Sequence, residues 1–223
     1  MPLRLRPTAP LATDAILVGD PGRALLLAQE LLEQPKMSNH ARGLWGYSGQ
    51  TPAGEGLTIQ ATGIGGPSAA LVLGDLAELG VRRAIRVGSC TGAPGTRPGE
   101  LLVASEALAE GGSAAAHGVG SGEAARPDPG LTERLGEAVG EEGRTGAVAS
   151  FDSHPAAVML PAGVLGADMQ TAPLLSRAAG LGMRLAAVLI VAEVEAGAGV
   201  LDKEDLEGRE KRAGRAALTV LST

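Results

Sequence analysis

The stretch Ala15-Ile16-Leu17-Val18-Gly19-Asp20-Pro21-Gly22-Arg23-Ala24 decides how this chain is read. A short apolar run that stops at a glycine has the length and composition of a buried strand. Pro21 then stands where a helix can begin, because the first turn does not need its missing N–H. Ala24, Leu25, Leu27, Ala28, Leu31 and Leu32 follow at helical spacing. A strand that turns through Gly-Asp-Pro-Gly into a helix is a building unit of α/β folds, and it leaves Arg23 at the turn. In open sheets of that class, ligands collect beyond the carboxyl ends of the strands.

Two further arginines stand beside glycines, in Arg42-Gly43 and in Arg86-Val87-Gly88-Ser89, the latter following the short strand Ala84 to Val87. Glycine lets backbone approach a ligand closely, and the guanidinium fork fits phosphate oxygens two at a time. If the fold brings Arg23, Arg42 and Arg86 together, it builds a pocket for a phosphate-sized anion. Taken alone, Gly19 to Arg23 also suits a plain strand-to-helix turn with a solvated arginine.

Working outward, 44–50 and 56–62 read as strands joined by a turn through Pro52, Gly54 and Gly56. Gly63-Ile64-Gly65-Gly66-Pro67-Ser68 leads into a helix ending before Gly80. It fails as a dinucleotide fingerprint, since Ser68 stands where the third glycine is needed and no acidic partner follows at the expected distance. A strand is expected over 100–104. Residues 106–130, rich in Gly, Ala and Ser with Pro127 and Pro129, read as a mobile segment or long loop. A helix over 131–139, a strand over 146–150, a helix over 171–181, a strand over 185–191 and an amphipathic helix over 202–221 complete the chain. Strands alternating with helices, without internal repeats, predict one α/β domain over 1–223.

The chain has 223 residues, 44% of them hydrophobic, yet its aromatic residues are only Trp45, Tyr47 and Phe151. The core must therefore be made of Leu, Val, Ile and Ala. A net charge of −6 argues against nucleic acid as a general partner, so an anionic substrate needs a local basic site. Cys90 is the only cysteine, which excludes an internal disulfide and suits a reducing cytoplasm. No secretory h-region is visible at the start, and the apolar run 185–192 is too short to span a bilayer. His40, His117 and His154 are too scattered for metal-ligand spacing.

Four stretches together resemble the nucleoside phosphorylase family of the hexameric purine nucleoside phosphorylase and uridine phosphorylase type. They are Val18 to Ala24, Asn39 to Gly49, Thr62 to Ala70 and Ile85 to Cys90, in the family's order and near its spacing. The resemblance implies a three-layer α/β/α domain with a mixed central sheet. It implies phosphorolysis of a purine or pyrimidine nucleoside to free base and pentose 1-phosphate, with inorganic phosphate as co-substrate and no cofactor or metal. Gly19, Arg23, Arg86 and Ser89 would bind the phosphate. Arg42 would serve a neighbouring subunit, implying a homo-oligomer, a hexamer built as a trimer of dimers.

The same resemblance assigns the rest of the site. Asp168-Met169-Gln170 occupies the place of the family's Glu-Met-Glu, whose methionine packs on the ribose and whose second glutamate holds its hydroxyls. The two polar residues equally suit the start of a helix. Glu193, after Ala192, stands where purine-specific members keep an acid that protonates the base, with Arg209 in the place of a supporting arginine. His154 or Phe151 would stack on the base. The uracil-reading Gln-x-Arg pair is absent from 155–168, and the base preference stays open. Two other readings remain: a non-catalytic homologue that binds nucleoside or phosphate, and a nucleosidase that uses water.

Overall fold

In the computed structural model, which describes residues 4–154, 160–194 and 199–222, the opening unit forms as its sequence dictates. β1 (Asp14–Val18) is buried from Ala15 onward, and α1 (Pro21–Leu31) starts at Pro21. Asp20 caps that helix, accepting from the N–H groups of Gly22 at 3.1 Å and Arg23 at 3.2 Å. This satisfies donors that a helix start leaves open, and it fixes Arg23 in the first turn on the buried face.

The chain continues through β2 (Glu33–Asn39), β3 (Gly46–Gln50), β4 (Gly56–Ala61), α2 (Gly65–Glu78), β5 (Arg83–Gly92) and β6 (Leu101–Glu110). After the short α3 (Gly112–Ala115) come β7 (Ala124–Ala125), α4 (Pro129–Val139), β8 (Gly143–Phe151) and β9 (Gly166–Asp168). The last elements are α5 (Thr171–Leu181), β10 (Arg184–Val194) and α6 (Lys203–Leu221).

Among the described residues these strands form one mixed sheet of ten. β1 lies between β4 and β5 and parallel to both, and β10 runs parallel to β5. The carboxyl ends of these four strands therefore share one edge. β2, β3 and β4 succeed one another antiparallel at the side. β10 also pairs with β6, and β8 and β9 connect β6 back to β5, so five strands close into a ring.

Leu73, Leu76, Leu174 and Leu175 of α2 and α5 cover one face of the sheet, whereas Leu27, Leu131, Leu135 and Val220 of α1, α4 and α6 cover the other. The result is the three-layer α/β/α arrangement, with a core of Leu, Ile, Val and Ala that uses almost no aromatic bulk.

Besides the short α3 and β9, which the sequence reading did not expect, two longer segments differ from it. Residues 106–110, expected in a loop, extend β6, with Ala107 and Ala109 buried in alternation and β7 paired alongside. Alanine is a weak strand former, so its alternation was masked by a composition that resembles a linker. β2 was not expected at all. It is an edge strand bearing Pro35, with Glu33, Gln34 and Lys36 exposed, and it pairs with β3. Proline and charge suit such an edge and remove the apolar pattern that would announce a strand. Among the described residues, no helix is long and apolar enough to cross a membrane.

Candidate active site

A cleft of about 900 Å³ opens at the shared carboxyl edge of β1, β4, β5 and β10, within the size range of ligand sites. Gly19, Arg23, Arg42, Arg86 and Ser89 all line it, so the fold does gather the three arginines. Met169, Gln170, Asp168, His154 and Glu193 line it too.

Arg86 is the most constrained of the three. It is 4% exposed, and burial pulls its pKa below the ordinary arginine value, with the Asp168 carboxylate beside it offsetting part of that. Its Nη2 donates to Asp168 Oδ2 at 2.8 Å, its Nη1 to Gln170 Oε1 at 2.7 Å, and its Nε is shared between Asp168 Oδ2 and Thr171 Oγ1 at 3.2 Å each. Of the five N–H donors of a guanidinium, one on each terminal nitrogen is left without a partner among the described residues. An oxyanion that met both would be held bidentately. Gly88 makes the posture possible, because a Cβ there would stand 2.5 Å from Arg86 Nη2 and 2.8 Å from Leu189 Cδ2.

Arg23 is equally held. Its Nε donates to Glu210 Oε1 at 2.7 Å and its Nη1 to the Val87 carbonyl at 3.3 Å. Two of the arginines therefore bring a carboxylate each, and the cleft is less cationic than three bare guanidiniums. Arg42 differs: it is exposed at the rim, and its backbone is left-handed, with φ 60° and ψ 19°. A non-glycine residue held there is strained, a condition that concentrates at functional sites.

Asp168 and Gln170 open α5, as one of the two sequence readings had it, and both are buried. Asp168 accepts from Ser150 Oγ at 2.6 Å, Thr171 Oγ1 at 2.7 Å and the Thr171 N–H at 3.1 Å, besides Arg86. Gln170 spans the cleft floor. Its Oε1 accepts from Arg86 and from Thr62 Oγ1 at 3.1 Å, and its Nε2 donates to the carbonyls of Gly63 at 2.6 Å and Gly65 at 3.3 Å. Gly63 and Gly65 both take positive φ, 76° and 78°, which only glycine adopts freely.

At the far end, β10 carries a register shift between Val191 and Glu193 that sets Glu193 opposite Thr91 of β5. Bulges of this kind re-aim a side chain. Thr91 Oγ1 donates to Glu193 Oε1 at 2.8 Å, and His154 Nε2 lies 3.8 Å from the same oxygen. Cys90, beside them, is buried, and burial pushes its thiol well above the ordinary range. Cys90 is therefore an inert packing residue.

Arg209 is not brought to the cleft. It lies on α6, where Nη1 donates to Glu142 Oε2 at 2.7 Å in a surface cluster with Arg212. The tail is dense in charge, and its helical register turns Glu210, not Arg209, inward toward Arg23. Phe151 packs against Ala149, Val164 and Ala167, leaving His154 as the flat side chain at the cleft. Sequence reasoning missed Thr91, Glu210 and Arg4. Arg4 lines the cleft and pairs with the buried Asp75 at 3.0 Å. A glutamate that is buried in a charged helix has no local signature; only the periodicity of Ala213, Ala217 and Val220 hints at its face. Among the described residues, no group of three His, Cys, Asp or Glu could hold a metal ion.

A three-layer fold with an arginine-lined cleft on its carboxyl edge defines a class, and the comparisons with known proteins agree. The phosphorylase superfamily model matches residues 13–223, and the chain belongs to that family. It is similar to DeoD-type purine nucleoside phosphorylases. That of Oceanobacillus iheyensis is 42% identical over 81 residues, 36% of this chain and 34% of the relative. Those of Limosilactobacillus reuteri and Clostridium beijerinckii are 39% and 38% identical over 95 and 87 residues, covering 42% and 39% of this chain and 40% and 36% of the relatives. The matched stretch thus spans between a third and two fifths of these curated relatives.

Proposed function

We propose that this chain is a nucleoside phosphorylase, a pentosyltransferase that converts a purine nucleoside and inorganic phosphate to free purine and pentose 1-phosphate. One observation carries the reading: Gly19, Arg23, Arg42, Arg86 and Ser89 border one cleft whose other end holds Glu193. A phosphate oxygen attacks the anomeric carbon, the C–N bond breaks, and the base leaves with the bonding pair. Arg23 and Arg86 hold and orient the phosphate, with the Ser89 hydroxyl and backbone N–H near Gly19 taking further oxygens. Met169 packs on the sugar, and Asp168 acts behind Arg86. Glu193 relays a proton to the departing base, and His154 stacks on it. The names of the relatives favour purine over pyrimidine.

No metal or organic cofactor enters this chemistry; phosphate is the co-substrate. A homo-oligomer, a hexamer built from three dimers in which Arg42 serves a neighbour's site, belongs to the same proposal; Arg42 stands exposed at the rim of its own cleft, where a second subunit could meet it. One unit over 1–223 in a reducing cytoplasm fits the continuous sheet and the single thiol. The test is base release from inosine, guanosine, adenosine, uridine and thymidine with and without phosphate. Phosphate-dependent release from the purine nucleosides is expected; release without phosphate makes the chain a nucleosidase. A second reading has its own support. Gln170 is bound up with Arg86, Gly63 and Gly65, and the Ala192 side chain has no polar atom, which suits a non-catalytic homologue, and no release from the whole panel selects it.

A further inference from the structure

We infer that Gln170 is a positioning residue for the anion end of the cleft, holding Arg86 and the Gly63–Gly65 turn in place, and that it does not bind the sugar. The inference rests on the phosphorylase reading for its ligand and deepens it. An amide side chain has two acceptor lone pairs and two donors. Three are engaged outright, one lone pair by Arg86 Nη1 and the N–H groups by the carbonyls of Gly63 and Gly65, and Thr62 Oγ1 stands 3.1 Å from the other lone pair with its single hydrogen shared between Gln170 and the Val18 carbonyl. The side chain is 3% exposed. A sugar hydroxyl could gain a bond to Gln170 only by displacing one of these.

The identity of the residue follows from the same partners. The carbonyls of Gly63 and Gly65 need a donor, and a carboxylate in that place would set acceptor against acceptor at the 2.6 Å contact. It would also put a second negative charge on Arg86, which Asp168 already neutralises. Glutamine instead passes the orientation of the glycine turn to the guanidinium without adding charge. The two unpartnered N–H groups of Arg86 are thereby aimed, and they keep enough positive potential to attract a dianion. Gly19 stands on the same line, since a Cβ there would come within 3.8 Å of Gln170 Oε1 and 3.6 Å of the Gly63 carbonyl.

The experiment uses the full chain, its Gln170→Met variant, which keeps length and loses the polar contacts, and its Gln170→Glu variant, which keeps the acceptors and loses the donors. Phosphate affinity is measured by calorimetry, KM for phosphate and for inosine by steady-state kinetics, and the inosine to 2′-deoxyinosine ratio of kcat/KM alongside. Both variants should weaken phosphate about tenfold or more, with Gln170→Glu at least as affected. KM for inosine and the ribose to deoxyribose ratio should be unchanged. Unchanged phosphate affinity with an altered sugar ratio, or tighter inosine binding in Gln170→Glu, overturns the inference and makes residue 170 a sugar ligand. If the unaltered chain binds no phosphate, the phosphorylase reading fails, and the Arg86 Nε–H resonance decides the positioning role. Protection from exchange in the unaltered chain that is lost in Gln170→Met upholds it; equal protection in both overturns it.

Discussion

The two ends of the cleft are built on different physical terms. At the anion end, Arg23 and Arg86 are 7% and 4% exposed, and each is fixed by a buried carboxylate, Glu210 or Asp168. At the other end, the Glu193 side chain is 32% exposed and leans on the Thr91 hydroxyl, with His154 beyond it. Buried ion pairs tolerate no missing partner, so the first end is rigid and every member depends on the others. The second end is half-solvated, and single substitutions there should leave the fold intact. The difference teaches why Arg-Val-Gly-Ser stays readable in the sequence while the residues around Glu193 do not.

Substitutions can break that contrast, and the largest effect belongs to Arg86. Arg86→Met should abolish phosphate binding and, by leaving Asp168 buried and unpaired, destabilise the fold by about 3–5 kcal/mol in urea unfolding. Adding Asp168→Asn should recover much of the stability and none of the phosphate affinity. Full phosphate affinity in Arg86→Met would remove the anion end from the account. Gly88→Ala acts on the same group without touching its charge. The new Cβ has to displace the guanidinium from its 2.5 Å approach, and KM for phosphate should rise about ten- to a hundredfold.

The Glu193 end, where the proposed function puts the base, should respond in kcat. Glu193→Gln is expected to lower it about a hundredfold, and Thr91→Val about tenfold, with Thr91→Ser restoring the donor and the rate. Phosphate affinity should stay constant across all three, and a loss of it would erase the division between the two ends.

The smallest effect lies far from the cleft. Asp128 caps α4 through the Leu131 N–H at 2.8 Å, and its bond to Arg184 holds its carboxyl below the ordinary value of 3.8. Asp128→Ala should cost about 1 kcal/mol of stability. Because the native carboxyl is depressed, the stabilisation is present above pH 3.8 and lost as pH falls through the lower native value. Unfolding curves of variant and parent should therefore converge in strong acid, with activity near neutrality unaltered.

Much of this architecture was legible in the chain. Asp20-Pro21 fixes the start of α1, the apolar run at 15–18 fixes β1, and the helix over 171–181 falls where its periodicity sets it. β2 and the end of β6 were not, since an edge strand of Glu, Gln, Pro and Lys and an alternation built on alanine lack strand propensity. In the site, the arginines were readable because glycine marks close approach. The carboxylates that hold them were not, because Glu210 and Asp168 acquire their roles only when distant elements meet, 187 and 82 residues from their partners. The occupation of Gln170 was invisible for the same reason, as it depends on carbonyls that the glycine turn brings inward.

The most direct test of the phosphorylase reading is purine release from inosine followed against inorganic phosphate concentration, with pentose 1-phosphate assayed in the same samples. Release should saturate with phosphate, yield one pentose 1-phosphate per purine, and vanish in Arg86→Met. Release that is independent of phosphate and yields free pentose would contradict it.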